Sequence, residues 1–136
     1  FSYPRLVQPV LNSKCIDCHL ENQHEGAPLL DSEIVEAQLS NRPSTTLVYR
    51  SYENLIHNFA FWQYGDSYRT IPGQFGARAS RLYGLLKEGH YGVELTKQEM
   101  HRITVWLDSL SNFYGVYEKE GGLDQLRGEI ARPTLE

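Results

Sequence analysis

The feature that most constrains this chain is the run Cys15-Ile16-Asp17-Cys18-His19, which contains both of its cysteines. Two thiols at this spacing occur in thioredoxin-like redox pairs, in zinc sites and in small disulfide loops. A thioredoxin-like pair needs a βαβ pattern around it, and a zinc ribbon needs a second cysteine pair. The sequence has neither, and a disulfide across two residues would close a strained ring that stabilises little.

The histidine directly after the second cysteine completes C-x-x-C-H, the attachment signature of c-type haem. Each thiol adds to one of two vinyl groups, which lie a fixed distance apart on the porphyrin. The imidazole of the next residue then lies under the ring, where a nitrogen can ligate the iron. The motif predicts one covalent haem c, with thioether bonds at Cys15 and Cys18 and with His19 as the proximal iron ligand.

Composition narrows the setting of this motif. The 136 residues fit one domain, and a hydrophobic share of 40% argues for a core and against disorder. A net charge of -4 gives no excess of positive charge for binding nucleic acid, and it disfavours binding to an anionic membrane surface. No apolar run reaches the roughly 18 residues of a membrane span. Because Phe1 begins almost on the first predicted helix, we expect a mature fragment or a module of a longer chain.

Apolar spacing predicts an all-α protein in which short helices are joined by long loops. Helices are expected over 4–12, with a kink or stop at Pro9, and over 49–59 and 80–87. The last helix starts at a capping box formed by Thr96 and Glu99. Its apolar stripe consists of Met100, Ile103, Trp106, Leu107 and Leu110. No strand pair with a hairpin signal is found, and the segments 20–47 and 60–77 are predicted to be irregular.

A helix that leads into C-x-x-C-H, long irregular segments and a closing amphipathic helix resemble the class I cytochrome c family. More specifically, the chain is similar to the C-terminal haem domain of the hydrazine synthase alpha subunit and related bacterial modular proteins at residues 2–4, 9–11, 15–19, 69–77, 80–82, 89–90 and 95–108. The resemblance implies a cytochrome c-like fold wrapped around one covalent haem that has histidine on both faces. It implies electron transfer but not hydrazine chemistry. Residues 1–118 would form the haem domain, and 119–136 a C-terminal extension or linker stump, with packing on the same domain as the alternative.

The second axial ligand is less constrained, and the candidates are His24, His57, His90, His101 and Met100. Class I cytochromes commonly place a methionine in the loop before the last helix, but Met100 falls inside the helical stripe, where core packing explains it. His90 follows Gly89 on that loop, and the pair matches the haem-domain relatives. We therefore predict His90 as the distal ligand, with His101 and Met100 as alternatives. The two remaining histidines are expected to be solvated.

Three arginines, Arg69, Arg78 and Arg81, flank the loop over 71–76. Guanidinium groups match carboxylate geometry, so these side chains are predicted partners of the haem propionates. The alternative is that they are ordinary surface arginines. Phe75 in the same loop is expected to pack on the porphyrin edge or in the general core.

The function predicted is that of a single-electron carrier, not an enzyme. Its bis-histidine haem would pass electrons to a partner redox enzyme or a fused module, in the periplasm or outside the cell, where bacteria attach c-type haem. Some relatives occur in secreted carbohydrate-active modular proteins, so a copper polysaccharide oxygenase is an expected partner by analogy.

Two other classes of haem protein remain open at this point. In a peroxidase-type enzyme the sixth position would be open, and Arg78 or His101 would act on bound peroxide. A ligand-sensing or purely structural haem domain is the second. A high-spin resting spectrum would favour the enzyme, and rapid uptake of CO or NO by the ferrous state would favour the sensor.

Overall fold

The computed structural model describes residues 1–21, 24–39, 43–61, 71–116 and 122–132. In chain order the elements are α1 (Tyr3–Leu6), α2 (Gln8–Lys14), a π-helical turn (Asp17–Glu21), β1 (Ile34–Ala37), β2 (Thr46–Tyr49), α3 (Arg50–Asn58), a 3₁₀ turn (Gly76–Ala79), α4 (Arg81–Glu88), α5 (Lys97–Asp108) and α6 (Gly122–Leu126). None of the helices in these ranges combines the length and the apolar character needed to cross a bilayer.

Two prolines determine where the N-terminal helices begin. Pro4 and Pro9 each stand in the first two positions of a helix, where the missing N–H has no intrahelical partner to lose. The kinked helix expected over 4–12 is therefore present as α1 and α2, which meet at Val7. Helix α2 ends at Cys15, so it runs directly into the C-x-x-C-H motif.

The prediction of an all-α fold is wrong in one respect, because β1 and β2 form a small antiparallel sheet. Ile34 lies opposite Tyr49, and Ala37 lies opposite Thr46. Both strands are rich in the β-branched and aromatic residues that favour strands. The connection over 38–45 is longer than the loops of two to five residues by which a hairpin is recognised in sequence. Over the residues that the structure describes, the fold is mainly helical with one two-stranded sheet.

The helices expected over 49–59 and 80–87 are confirmed as α3 and α4. Ser80 begins α4 as an N-cap, since the Tyr83 N–H donates to its Oγ at 3.0 Å. Gly89 ends this helix with a φ of 100°, a conformation that a residue with a Cβ rarely adopts. The glycine therefore sets the direction in which the next residue, His90, leaves the helix.

The capping box predicted for the last helix is confirmed at α5. The Glu99 N–H donates to Thr96 Oγ1 at 3.2 Å, and the Thr96 N–H donates to Glu99 Oε2 at 2.7 Å. The buried members of the predicted stripe are Ile103, Trp106 and Leu107. Leu110 does not belong to it, because the helix ends at Asp108 and Leu110 turns outward with a φ of 61°.

The core contains an aromatic cluster where α1 meets α5. Tyr3 is fully buried, and its ring centroid lies 5.0 to 5.5 Å from those of Trp106, Tyr52 and Phe113. At the C-terminal end of α2, the Lys14 ammonium lies 3.9 Å from the Glu99 carboxylate at the start of α5. The N-terminal helices therefore contact α5 at both of its ends and hold the C-x-x-C-H turn close to it.

Helix α6 packs against β2 and the segment after α5. Gln125 Oε1 accepts from the N–H groups of Gly115 and Val116 at 2.9 and 3.0 Å, and its Nε2 donates to the Val116 carbonyl at 2.8 Å. Leu126 is buried, and its carbonyl accepts from the Tyr49 hydroxyl. Residues 122–126, inside the segment expected to be an extension or linker stump, thus share the core of the preceding residues.

Candidate functional site

A cleft of about 230 Å³ lies between the π-helical turn, the loop that follows it, and the loop between α4 and α5. Its lining consists of Lys14, Cys15, Cys18, His19, His24, Glu25, Gly26, Ala27, Leu86, His90, Tyr91 and Val93. The fold therefore brings the predicted distal histidine to the same cleft as the three residues of the attachment motif. His90 lies 71 residues after His19 in the sequence, so only the fold brings it to the motif.

The attachment motif is shaped by the change from α2 to the π-helical turn. The His19 N–H donates to the Cys15 carbonyl at 3.0 Å, so the chain keeps turning beyond the end of α2. π-helical turns are rare in proteins, and those that do occur are often found at functional sites. Cys15 and Cys18 are both free thiols, half-buried at the wall of the cleft. Both sulfurs are therefore available to a group in the cleft.

Burial raises the pKa of the Cys15 thiol to about 11, with smaller contributions from the neighbouring Cys18 and from Glu99. Redox-active C-x-x-C pairs work with a thiolate whose pKa is lowered. The surroundings of Cys15 act in the opposite direction, which disfavours a thioredoxin-like role.

One ring nitrogen of His19 is hydrogen-bonded, and the other has no hydrogen-bond partner among the residues that the structure describes. Its Nδ1 lies 2.8 Å from the carbonyl oxygen of Pro28. Because a carbonyl can only accept a hydrogen bond, Nδ1 carries the proton, and in the neutral ring the Nε2 lone pair is unprotonated. Metal-binding histidines commonly donate their second ring N–H in this way, which fixes the tautomer. His19 is thus arranged as a ligand through Nε2.

His90 is presented by a tight turn between α4 and α5. The Val93 N–H donates to the His90 carbonyl at 2.9 Å, and both residues between them, Tyr91 and Gly92, have positive φ, at 47° and 76°. Positive φ at both central positions is typical of a type I′ turn. The Tyr91 ring lies 4.9 Å from the His90 ring at 85°, so it packs edge-on against that imidazole.

The rings of His19 and His90 lie across the cleft with centroids 6.0 Å apart and an angle of 32° between their planes. An imidazole nitrogen binds a first-row metal at about 2.0–2.1 Å and lies about 1.1 Å from its ring centre, so two histidines on opposite sides of one metal would have centroids about 6.3 Å apart. The observed separation matches this value. The donor set of two thiols and two imidazoles fits a planar metal-bearing group bonded at its edge and ligated from both faces.

The alternative distal ligands lie elsewhere. Met100 and His101 belong to α5, and neither lines the cleft. The Met100 backbone carbonyl accepts from the Thr104 hydroxyl at 2.8 Å, and His101 is exposed. His57 is exposed on α3. His24 is exposed as expected but also lines the cleft, where its ring lies 6.0 Å from that of Tyr91 at 15°.

Of the residues predicted to contact the rest of the haem, the three that the structure describes, Phe75, Arg78 and Arg81, do not line the cleft. Phe75 packs on the Phe61 ring at 4.8 Å. The Arg81 guanidinium lies over the Phe59 ring, 4.8 Å from its centroid, and Arg78 is exposed on the 3₁₀ turn. Arg69 lies outside the described residues. Propionate pairing by these arginines stays a prediction.

Sequence reasoning did not single out several cleft residues. The Pro28 carbonyl has no sequence signature as a hydrogen-bond acceptor, because every residue carries one. Tyr91 is one of nine tyrosines in the sequence, and only its place before Gly92, which is a turn signal, distinguishes it. Lys14 brings a positive charge to the cleft, and no motif in the sequence marks it as a haem partner.

A closed metal site of the zinc-finger kind needs four converging protein ligands. Among the described residues, no three His, Cys, Asp or Glu side chains converge on one point. Comparison with protein-family models, with curated proteins and with solved structures yields no match to this chain.

Proposed function

We propose that this protein is a monohaem c-type cytochrome module that carries single electrons. Its haem is bonded to Cys15 and Cys18, and the iron is ligated by His19 and His90. The observation that carries the proposal is the separation of 6.0 Å between the two imidazole rings, across a cleft that both thiols of a C-x-x-C-H motif line. Cys15, Cys18 and His19 are neighbours in the sequence, so the independent part of this observation is that the fold brings His90 to the same cleft.

Each residue has a distinct task in this proposal. The two thiols fix the position of the group covalently, so a small domain holds it in spite of long loops. His19 donates its Nδ1–H to Pro28 and keeps Nε2 for the metal. His90 supplies the opposite nitrogen from a turn whose backbone is held by its own hydrogen bond. When bound, the haem supplies a one-electron couple between Fe(III) and Fe(II).

A cytochrome c-like arrangement of the helices belongs to the same proposal. It is supported by the entry of α2 into the attachment motif and by the contacts of Tyr3 with Trp106 and of Lys14 with Glu99. These contacts join the N-terminal helices α1 and α2 to α5. The small sheet of β1 and β2 is an addition to the arrangement that the family resemblance implies.

The open side of the cleft favours electron exchange with another protein. A volume of about 230 Å³ lies below the ~300–1,000 Å³ of typical ligand clefts and cavities, so a porphyrin held there would extend beyond the cleft toward solvent. Tyr91 at the rim is 87% exposed. The proposed partner is a redox protein or fused module, with a copper polysaccharide oxygenase as one case, and the proposed location is periplasmic or secreted.

The two histidines also weigh against the peroxidase-type alternative. With imidazole on both sides, no coordination position is left for peroxide. Arg78 and His101, the residues that such an enzyme would need at the peroxide, do not line the cleft. A ligand-sensing domain would need His90 to leave the metal readily, and this is open to measurement.

The test is a comparison of spin states in single variants of the haem-loaded protein. We expect the ferric wild-type protein to be low-spin and to lack the weak red band of a methionine–iron bond. Two imidazoles stabilise Fe(III) relative to methionine–histidine ligation, so the potential should lie below that of typical Met/His cytochromes. His90→Ala should turn the haem high-spin and let the ferrous form bind CO.

His101→Ala and His57→Ala are the matched controls, because each removes an exposed histidine from a helix. Both should keep the wild-type spectrum. A wild-type protein that is high-spin and five-coordinate would contradict the electron-carrier proposal. A low-spin His90→Ala protein, together with a changed spectrum in His101→Ala or Met100→Leu, would move the distal ligand into α5.

A further inference from the structure

The loop that faces His19 contains an extended segment whose carbonyls are all occupied. We call residues 28–31 the proximal strap. Its four consecutive carbonyl oxygens accept hydrogen bonds from His19 Nδ1 at 2.8 Å, Asn54 Nδ2 at 2.8 Å, Gln8 Nε2 at 2.9 Å and the Ser51 N–H at 3.1 Å. The first of these bonds orients the proposed ligand, and the other three hold the strap to α2 and α3.

Side-chain donors are needed here because the strap lies outside helix and sheet. Backbone carbonyls that leave water require partners, and no strand within the described ranges pairs with the strap. At its end, Arg50 Nε donates to Asp31 Oδ1 at 2.8 Å, and a second guanidinium nitrogen pairs with the other carboxylate oxygen. Such two-point pairs fix geometry as well as adding energy. The strap is therefore anchored at Leu30 and Asp31 by contacts that do not involve Asn54, and the Leu29 carbonyl held by Asn54 is the anchor next to Pro28.

We infer that Asn54 is a positioning residue for the metal ligand His19. It holds the Leu29 carbonyl, and thereby keeps the adjoining Pro28 carbonyl on His19 Nδ1. This inference rests on the proposed function, since it assigns Asn54 a part in setting the reduction potential of the haem. Asn54 is half-buried on α3 and does not touch the cleft.

The direction of the effect follows from the hydrogen bond to His19. Donation of the Nδ1–H to a carbonyl raises the basicity of the metal-binding nitrogen. A more basic imidazole stabilises Fe(III) more than Fe(II), which lowers the potential. Loss of the Asn54 amide loosens the strap, weakens the His19 hydrogen bond and raises the potential.

Asn54 is a better residue to change than Gln8. Gln8 is 2% exposed, and its Oε1 accepts from Ser51 Oγ at 2.5 Å, so its removal would disturb the core as well as the strap. Asn58, one turn further along α3, is an exposed residue of the same type and serves as the matched control.

The experiment uses the haem-loaded protein with Asn54→Leu, Asn54→Gln and Asn58→Leu. The midpoint potential and the solvent-exchange rate of the His19 Nδ1–H, followed by NMR in the reduced state, are measured for each. For Asn54→Leu we expect a two- to tenfold loss of preference for Fe(III), which is a rise of about 18–59 mV at 59 mV per tenfold for one electron. The Nδ1–H should exchange faster, and the spectrum should remain low-spin.

Asn54→Gln keeps the amide donor and should recover most of the wild-type potential, while Asn58→Leu should not move it. A lower melting temperature in Asn54→Leu with unchanged potential and unchanged Nδ1–H exchange would overturn the inference, because Asn54 would then serve stability alone. If Asn54→Leu does not fold, Asn54→Ser, which is too short to reach the Leu29 carbonyl, gives the same comparison.

The proposed function fails by a different result. A wild-type protein without covalent haem, or without a low-spin six-coordinate spectrum, would remove the electron-carrier proposal before any variant is made. A wild-type protein with both properties, whose potential is insensitive to Asn54→Leu, removes only the role of Asn54.

Discussion

Gly76 is a position at which a very small substitution should have a large effect on stability. It opens the 3₁₀ turn with a φ of 60°, and it lies against the C-terminal end of α5. A Cβ placed there would be 2.2 Å from Asp108 Oδ1 and 3.1 Å from the Asp108 Cα. The same Oδ1 accepts from the Ala77 N–H at 2.8 Å. Gly76→Ala therefore cannot be accommodated without moving the carboxylate off the turn.

Two separable costs make up the expected magnitude. The left-handed backbone costs an alanine about 1–2 kcal/mol relative to glycine. Displacement of the carboxylate removes a hydrogen bond to a charged group, which is worth about 1.5–3 kcal/mol. The sum of about 3–5 kcal/mol is a large share of the 5–15 kcal/mol that stabilises a typical domain, and it should lower the melting temperature by roughly 10–20 °C.

Thermal unfolding of the haem-loaded protein, followed by far-UV circular dichroism, measures this effect. Gly73→Ala is the matched control, since Gly73 has a φ of 86° and a Cβ added there would meet no described atom within 4 Å, so only the backbone cost of about 1–2 kcal/mol applies. Gly84 lies inside α4, where an added Cβ likewise meets no described atom within 4 Å, so Gly84→Ala should be stabilising by about 0.5–1 kcal/mol.

The carboxylate contribution can be isolated with Asp108→Ala. In that background Gly76→Ala should cost only the backbone term, so the two substitutions should be strongly non-additive. If Gly76→Ala melts within error of Gly73→Ala, or if the double variant shows simple additivity, the reasoning from the Asp108 contact is refuted.

Two further predictions concern the cap of α5 and a hydrogen bond between α1 and α3. Backbone and side-chain hydrogen bonds with Thr96 hold the pKa of the Glu99 carboxyl below its usual value of 4.5. The resulting stabilisation is complete above the unfolded pKa and is lost as the pH falls through the lower folded pKa. Glu99→Gln should therefore flatten the acid limb of a plot of melting temperature against pH. Tyr3→Phe should destabilise by about 1 kcal/mol, because the Tyr3 hydroxyl is buried and donates to Ser51 Oγ at 3.0 Å; an unchanged melt would show that this hydrogen bond adds nothing.

Local features of this protein could be predicted from sequence because their causes lie within a few residues. The capping box at Thr96 and the glycine that ends α4 are complete within one turn of helix. The spacing of Cys15, Cys18 and His19 is what covalent attachment of a haem would require, and that attachment stays a prediction. The position of His90 in a loop after a helix was also available from Gly89 and the apolar face before it.

Features that depend on distant partners could not be predicted in the same way. β1 and β2 pair across a connection of eight residues, 38–45, and neither strand alone has enough alternation to be recognised. The proximal strap depends on donors from α2 and α3 that lie far away in sequence. The exposure of Leu110 follows from a left-handed turn at the end of α5, which no glycine announces. Tertiary contacts decide each of these, and a periodic pattern does not contain them.

The central claim is that Cys15 and Cys18 carry a covalent haem, and the intact mass of the denatured protein tests it most directly. The protein should be produced with c-type haem maturation and extracted with acid-acetone before the measurement. We predict the mass of the chain plus one haem, and the mass of the chain alone for the variant with Cys15→Ala and Cys18→Ala. A wild-type chain whose haem is fully extracted, and whose mass equals that of the polypeptide alone, would contradict the account.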